Sequence, residues 1–119
     1  MKILICDDEI EIVNALKEYL ESRGCVVEYA LDGKKGLDLI KSGNYGIAFL
    51  DINMPGLTGF EVLRHVKDNN IKTKVVFLTG YPCVDENFAK GLRVDEYLEK
   101  PIELEAIGKI VDKYTHHEE

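Results

Sequence analysis

GIAFLDINMPGLTGFE, residues 46–61, is the stretch that decides the fold. Gly46 to Leu50 form a near-continuous apolar run that ends on one acid, Asp51. Such a run reads as a strand covered on both faces, the condition of a strand inside a parallel sheet. Pro55 and Gly56 then break the chain. Thr58 with Glu61 makes a capping-box pattern ahead of Phe60, Leu63 and Val66, which recur at helical spacing.

The same strand-then-helix unit recurs on both sides. Lys2 to Cys6, Cys25 to Ala30, Lys74 to Leu78 and Val94 to Leu98 are further short aliphatic or β-branched runs, and Lys74 to Leu78 shares the two-sided apolar character. Ile10, Val13, Leu16 and Leu20 predict a first helix, entered through Asp8 with Glu11 as a capping pair. Asp32 caps a second helix carrying Leu37 and Ile40 and ended by Gly43. A last helix carries Leu104, Ile107, Val111 and Tyr114. Between the fourth and fifth strands, Val84 to Leu92 predicts a short or mobile helix, because Pro82 precedes it and Gly91 lies near its end. Alternation of this kind is an α/β domain. There is no internal repeat or linker, so residues 1–119 read as a single domain with no output domain.

Composition narrows the function classes. Net charge is −7, and no Lys/Arg stripe with interleaved aromatics offsets it, so direct nucleic-acid binding is not expected. No apolar run is long enough to cross a bilayer. Cys6, Cys25 and Cys83 are an odd number without paired spacing, and no leader opens the chain, which points to the cytoplasm. The cysteines are expected to pack as small apolar side chains, and His65 to face solvent. His116 and His117 lack a third ligand, and with Glu118 and Glu119 they read as a polar end.

The chemistry sits at strand ends, where open parallel sheets bind their ligands. Asp7 and Asp8 follow the first strand, Asp51 the third, Thr79 the fourth and Lys100 the fifth. Three carboxylates at one edge repel each other unless a cation lies among them, and an all-oxygen set points to Mg²⁺. With the ammonium of Lys100 and the hydroxyl of Thr79, they would cage a phosphoryl group, leaving Asp51 as the nucleophile. Singly each residue has an ordinary use: a helix cap for Asp7 and Asp8, a turn for Asp51, strand ends for Thr79 and Lys100. Together they outweigh those uses.

At LICDDE, FLDINMPGLTGFE, VVFLTG and DEYLEKP, in that order, the chain resembles the receiver domains of two-component response regulators over nearly its whole length. The resemblance implies a flavodoxin-like three-layer sandwich with a five-stranded parallel sheet in order 2-1-3-4-5 and five helices. It implies that Asp51 is the phosphoacceptor and that Asp8, Asp51 and the backbone carbonyl of Asn53 hold Mg²⁺, with Asp7 assisting and Mn²⁺ able to substitute. Lys100 would contact the phosphoryl group, the peptide before Pro101 would be cis, Thr79 and Tyr97 would form the switch, and Asn53 and Tyr81 would tune the phosphoryl lifetime. The implied donor is a sensor histidine kinase or phosphotransfer protein, and the readout is a changed protein-binding face around the fourth helix, fifth strand and last helix. Such a chain catalyses its own phosphorylation and dephosphorylation and is not a turnover enzyme.

Two departures stand out. Arg93 occupies a position usually held by glycine, so the turn before the fifth strand is expected to be built differently, and Pro82 stiffens the loop after Thr79. Two rival functions remain. A haloacid-dehalogenase-type phosphatase needs a second acid at position 53, where Asn53 stands. A docking module that has lost phosphorylation is opposed by the full acid set. A flavin-binding protein of the same topology is excluded by Asp7, Asp8 and Glu9 in its phosphate loop.

Overall fold

The computed structural model describes residues 1–80, 91 and 93–116. Its elements in chain order are β1 (Lys2–Cys6), α1 (Ile10–Ser22), β2 (Val26–Ala30), α2 (Gly33–Ser42), β3 (Ile47–Asp51), α3 (Gly59–Asp68), β4 (Lys74–Thr79), β5 (Glu96–Glu99) and α4 (Leu104–His116). The expected short helix at Val84 to Leu92 lies outside the described residues except for Gly91, as do Tyr81, Pro82, Cys83 and the last residues from His117 onward. Among the described residues no helix is long and apolar enough to cross a membrane.

All pairings are parallel, in the order β2-β1-β3-β4-β5, as expected. The two-residue period of a strand sends alternate side chains to opposite faces. Ile3, Ile5, Ile47, Phe49, Val76 and Leu78 go to one face, where Val13, Leu16 and Leu20 of α1 and Ile107 and Val111 of α4 cover them. Leu4, Cys6, Ala48, Leu50, Val75 and Phe77 go to the other, under Ile40 of α2 and Val62, Leu63 and Val66 of α3. Every side chain of β3 is therefore buried. Each such aliphatic or aromatic side chain contributes roughly 1.5–3 kcal/mol on burial, which explains the apolar run at residues 46–50.

Local signals and tertiary structure agree at two helix starts. The Asp32 side chain accepts from the Lys35 N–H at 2.8 Å, and Thr58 accepts from the Glu61 N–H at 3.3 Å. They disagree at α1, whose N-cap is Glu9, with no side-chain cap bond, and not Asp8. Asp7 is the cause: its Oδ1 accepts the Glu9 N–H at 2.9 Å, and the Glu9 carbonyl then starts the helix by accepting from Ile12 and Val13.

Strand boundaries shift by a residue or two. β3 runs on to Asp51, paired with Leu78, which makes the acid the last ladder residue. β5 starts later than Val94 because Asp95 takes over the ladder: its N–H donates to the Val75 carbonyl at 3.1 Å, and its carboxylate accepts the Val75 N–H at 2.8 Å. The turn before it is formed by Arg93 itself at φ +63°, in the left-handed region that glycine occupies without strain. Arginine here adopts the backbone that the usual glycine would.

Candidate functional site

Parallel pairing puts the carboxyl ends of β1, β3, β4 and β5 along one edge of the sheet. Asp7 leaves β1 with its side chain fully buried, and Asp51 closes β3 at 7 % exposure. Asp8 and Glu9 follow into solvent. One carboxylate oxygen from each of these four acids lies within 4.8 Å of the others.

Local geometry holds Asp51 from below and beside. Its Oδ1 accepts the Asn53 N–H at 3.2 Å. The following loop turns at Gly56, φ +84°, and re-enters at Gly59, whose N–H donates to the Ile52 carbonyl at 2.8 Å. A Cβ on Gly59 would sit 2.7 Å from the Asp51 carbonyl oxygen, so only glycine allows α3 to start this close beneath the acid. The loop is also tied to α2, because the Gly33 N–H donates to the Pro55 carbonyl at 3.1 Å.

Lys100 enters from β5. Its backbone N–H donates to the Thr79 carbonyl at 2.7 Å, and the Lys100–Pro101 peptide is cis. Its Nζ lies 2.7 Å from Glu9 Oε1, 3.0 Å from Asp7 Oδ2 and 3.4 Å from Asp51 Oδ2. The contact with Asp7 is a charge contact off the hydrogen-bonding directions, and the buried Asp7 Oδ2 accepts no hydrogen bond.

The electrostatics follow from four clustered carboxylates, three of them in contact with one ammonium. Burial raises the Asp7 carboxyl above the usual carboxylate range, against the Glu9 N–H and Lys100, which lower it. Burial and then the charge of Asp7 raise Asp51, against the same lysine and the Asn53 N–H. For Lys100, burial lowers the pKa, but the hydrogen bond to Glu9 and the charges of Asp7 and Asp51 outweigh it, so the ammonium is held above its ordinary value. One lysine does not neutralise four acids. An orphaned buried oxygen beside three further carboxylates fits a small, oxygen-preferring cation, and Asp7, Asp8, Glu9 and Asp51 are the side chains able to hold one.

The remaining predicted residues fall near this edge or within the core. Thr79 ends β4, buried at 1 % exposure, in register with Glu99. Asn53 is exposed just past Asp51. Tyr97 is half-buried in β5 opposite Phe77 and packs on the core cluster over the α2 and α3 face. Cys6 belongs to that same cluster, its thiol pushed up to about 12 chiefly by burial, and Cys25 packs on the opposite one. His65 is half-buried beside Asn69, and no histidine joins a metal-competent group among the described residues.

Glu9 is the member that sequence reasoning passed over as a site residue. Its signal was present in the Asp-Asp-Glu run after β1. The partner that gives it a role, Lys100, lies 91 residues away.

A family model for the response regulator receiver domain matches residues 3–112, almost the whole chain. The chain belongs to the response regulator receiver domain family. Among curated relatives of this receiver domain, the transcriptional regulatory protein DltR of Streptococcus agalactiae is 33 % identical over 108 residues, covering 90 % of this chain and 48 % of that protein. The transcriptional regulatory protein TctD of Salmonella typhimurium is 37 % identical over 109 residues, with the same coverage of 90 % and 48 %. The receiver domain thus spans about half the length of these curated relatives. Solved structures agree on the fold. The receiver domain of the Francisella response regulator 1452 matches with a TM-score of 0.90 at 32 % identity, over 99 % of this chain and 98 % of that one. The response regulator protein TrrA of Thermotoga maritima, solved in complex with Mg(2+)-BeF, matches with a TM-score of 0.84 at 33 % identity, over 95 % and 97 %.

Proposed function

We propose that this receiver domain is a phosphorylation switch in which Asp51 takes a phosphoryl group from a phosphohistidine on a sensor kinase or phosphotransfer protein. The reading rests above all on one observation: Asp51 shares a sheet edge with three further carboxylates and with Lys100, and Asp7 Oδ2 among them is buried without a hydrogen bond. Asp7, Asp8, Asp51 and the Asn53 carbonyl would hold Mg²⁺, with Mn²⁺, another oxygen-preferring ion, able to replace it. Bound there, the ion supplies charge neutralisation to phosphoryl oxygens and to the acids themselves.

In the transfer, an Asp51 carboxylate oxygen forms the new O–P bond as the P–N bond to the donor imidazole breaks, and the imidazole leaves with a proton. Lys100 balances charge on the transferred group, and the Asn53 N–H keeps the second Asp51 oxygen oriented. Thr79 donates to a phosphoryl oxygen in the phosphorylated state. Its neighbour across the sheet edge, β5, carries Tyr97, which would then turn inward and alter the face around β5 and α4. Water finally hydrolyses the acyl phosphate and resets the switch. The target is a protein surface, on a separate protein or on further chain of the kind that makes the related transcriptional regulators about twice as long. The reaction is a self-modification, and a small molecule takes part only as a phosphoryl donor to Asp51.

The test is intact mass after incubation with Mg²⁺ and acetyl phosphate. Wild type should gain one phosphoryl group, lost again on standing, and Asp51→Asn should gain none. Steady hydrolysis of a phosphate monoester, which is no phosphoryl donor to Asp51, or a mass change that survives in Asp51→Asn, overturns the reading.

A further inference from the structure

Lys100 gives its best hydrogen bond to the wrong acid for phosphoryl transfer. Its Nζ is 2.7 Å from Glu9 and 3.4 Å from Asp51, the residue it would serve. An ammonium has three donors; here Glu9 and Asp51 each accept one, and Asp7 lies in charge contact at 3.0 Å. A phosphoryl group on Asp51 competes with these carboxylates for the ammonium.

The three differ in what release costs. The Asp7 side chain has no solvent exposure, so losing the ammonium would leave a buried charge compensated only by the Glu9 N–H. Asp51 loses its carboxylate charge as the acyl phosphate forms, so the phosphoryl oxygens take over its contact with the ammonium. The Glu9 side chain is 58 % exposed and can exchange the ammonium for water at little cost. Its backbone is fixed independently as the N-cap of α1, held by Asp7, and its side chain makes no cap bond, so the carboxylate is free to swing away without disturbing the helix.

Taking Asp51 as the phosphoacceptor, as proposed above, we infer that Glu9 is a positioning residue that holds Lys100 in the unphosphorylated state and is displaced from it by the phosphoryl group. Glu9 then acts as a brake: part of the affinity of Lys100 for phosphoryl oxygens is spent on breaking the ion pair with Glu9. A phosphoryl oxygen, carrying more charge than a carboxylate oxygen, wins the exchange. The resting state keeps its lysine occupied and ordered, which biases the switch toward off in the absence of a donor.

The test uses beryllium fluoride at saturating Mg²⁺, so that any contribution of Glu9 to the cation is held constant. Glu9→Gln should bind beryllium fluoride about threefold tighter than wild type, the range expected from removing one exposed ion pair. Glu11→Gln removes the same charge from the first turn of α1 at an exposed position with no contact to Lys100, and should bind like wild type. The side-chain ammonium resonance of Lys100 supplies a readout that a purely structural role would not move. It should differ between free wild type and free Glu9→Gln, and coincide when both carry beryllium fluoride. Equal or weaker binding by Glu9→Gln, or identical free-state resonances, overturns the role of Glu9. If wild type shows no Asp51-dependent response at all, the phosphoacceptor reading falls first and takes this one with it.

Discussion

Neutralising Asp51 should make the metal-free protein more stable, although it removes one partner of Lys100. One oxygen of Asp51 stands within 4.8 Å of one oxygen on each of Asp7, Asp8 and Glu9, and its Oδ2 lies 3.4 Å from the ammonium. At the dielectric of water, two unit charges at the longer separation repel by about 0.9 kcal/mol, and opposite charges at the shorter one attract by about 1.2 kcal/mol. Three repulsions against one attraction leave about 1.4 kcal/mol in favour of Asp51→Asn. Asp8 and Glu9 face solvent, which keeps the figure near this low end, while the burial of Asp51 itself adds to it. The expected gain is about 1.5 kcal/mol, or about 6 °C in Tm for a chain of this size. The assay is urea and thermal unfolding of both proteins at neutral pH, low salt and excess chelator.

The pH dependence has a definite sign. Folded Asp7 and Asp51 hold their protons to higher pH than they do unfolded, so the folded state binds more protons in that window. Wild-type stability then declines as pH rises from the ordinary carboxylate value of 3.8 through the raised values, and the advantage of Asp51→Asn grows over the same interval. Mg²⁺ should reverse the order by stabilising wild type more than the variant, through binding the folded state alone. Equal or lower stability of Asp51→Asn at neutral pH in chelator would refute net repulsion in the cluster, and with it the electrostatic case for a cation.

Three substitutions test the elements that carry the site. Arg93→Gly should raise stability by about 0.5–1 kcal/mol, read as a higher urea midpoint at unchanged slope, because a left-handed φ strains an L-residue by roughly 1–2 kcal/mol and glycine returns part of that through unfolded-state entropy; Arg93→Ala should gain nothing. Gly59→Ala should cost about 1–3 kcal/mol by thermal unfolding despite the helix preference of alanine, because its Cβ would push against the Asp51 backbone, and Mg²⁺-dependent stabilisation should weaken with it. Thr58→Ala should lose about 0.5–1 kcal/mol in the same assay through the missing cap bond to the Glu61 N–H, with a normal response to Mg²⁺.

The local signals were readable because their causes are local. Asp32 and Thr58 cap their helices with a donor three residues on, and the two-sided burial of Ile47 to Leu50 leaves an apolar run no surface strand would carry. The acids and the lysine at strand ends were readable too, as separate residues whose meeting required a parallel sheet. Distance in the chain decided the rest. Asp8 does not cap α1, because the carboxylate next to it is fixed by burial under the sheet edge and captures the Glu9 N–H first. Arg93 takes the left-handed turn because Asp95 anchors β5 to Val75, twenty residues upstream, and the chain between has to close. The sequence by itself determined the alternation of strands and helices and the chemistry available at each strand end. Only the tertiary structure decided that Lys100 rests on Glu9 more closely than on Asp51, since a pairing across 91 residues depends on where two separate strands finish and on which carboxylate can still be reached by water.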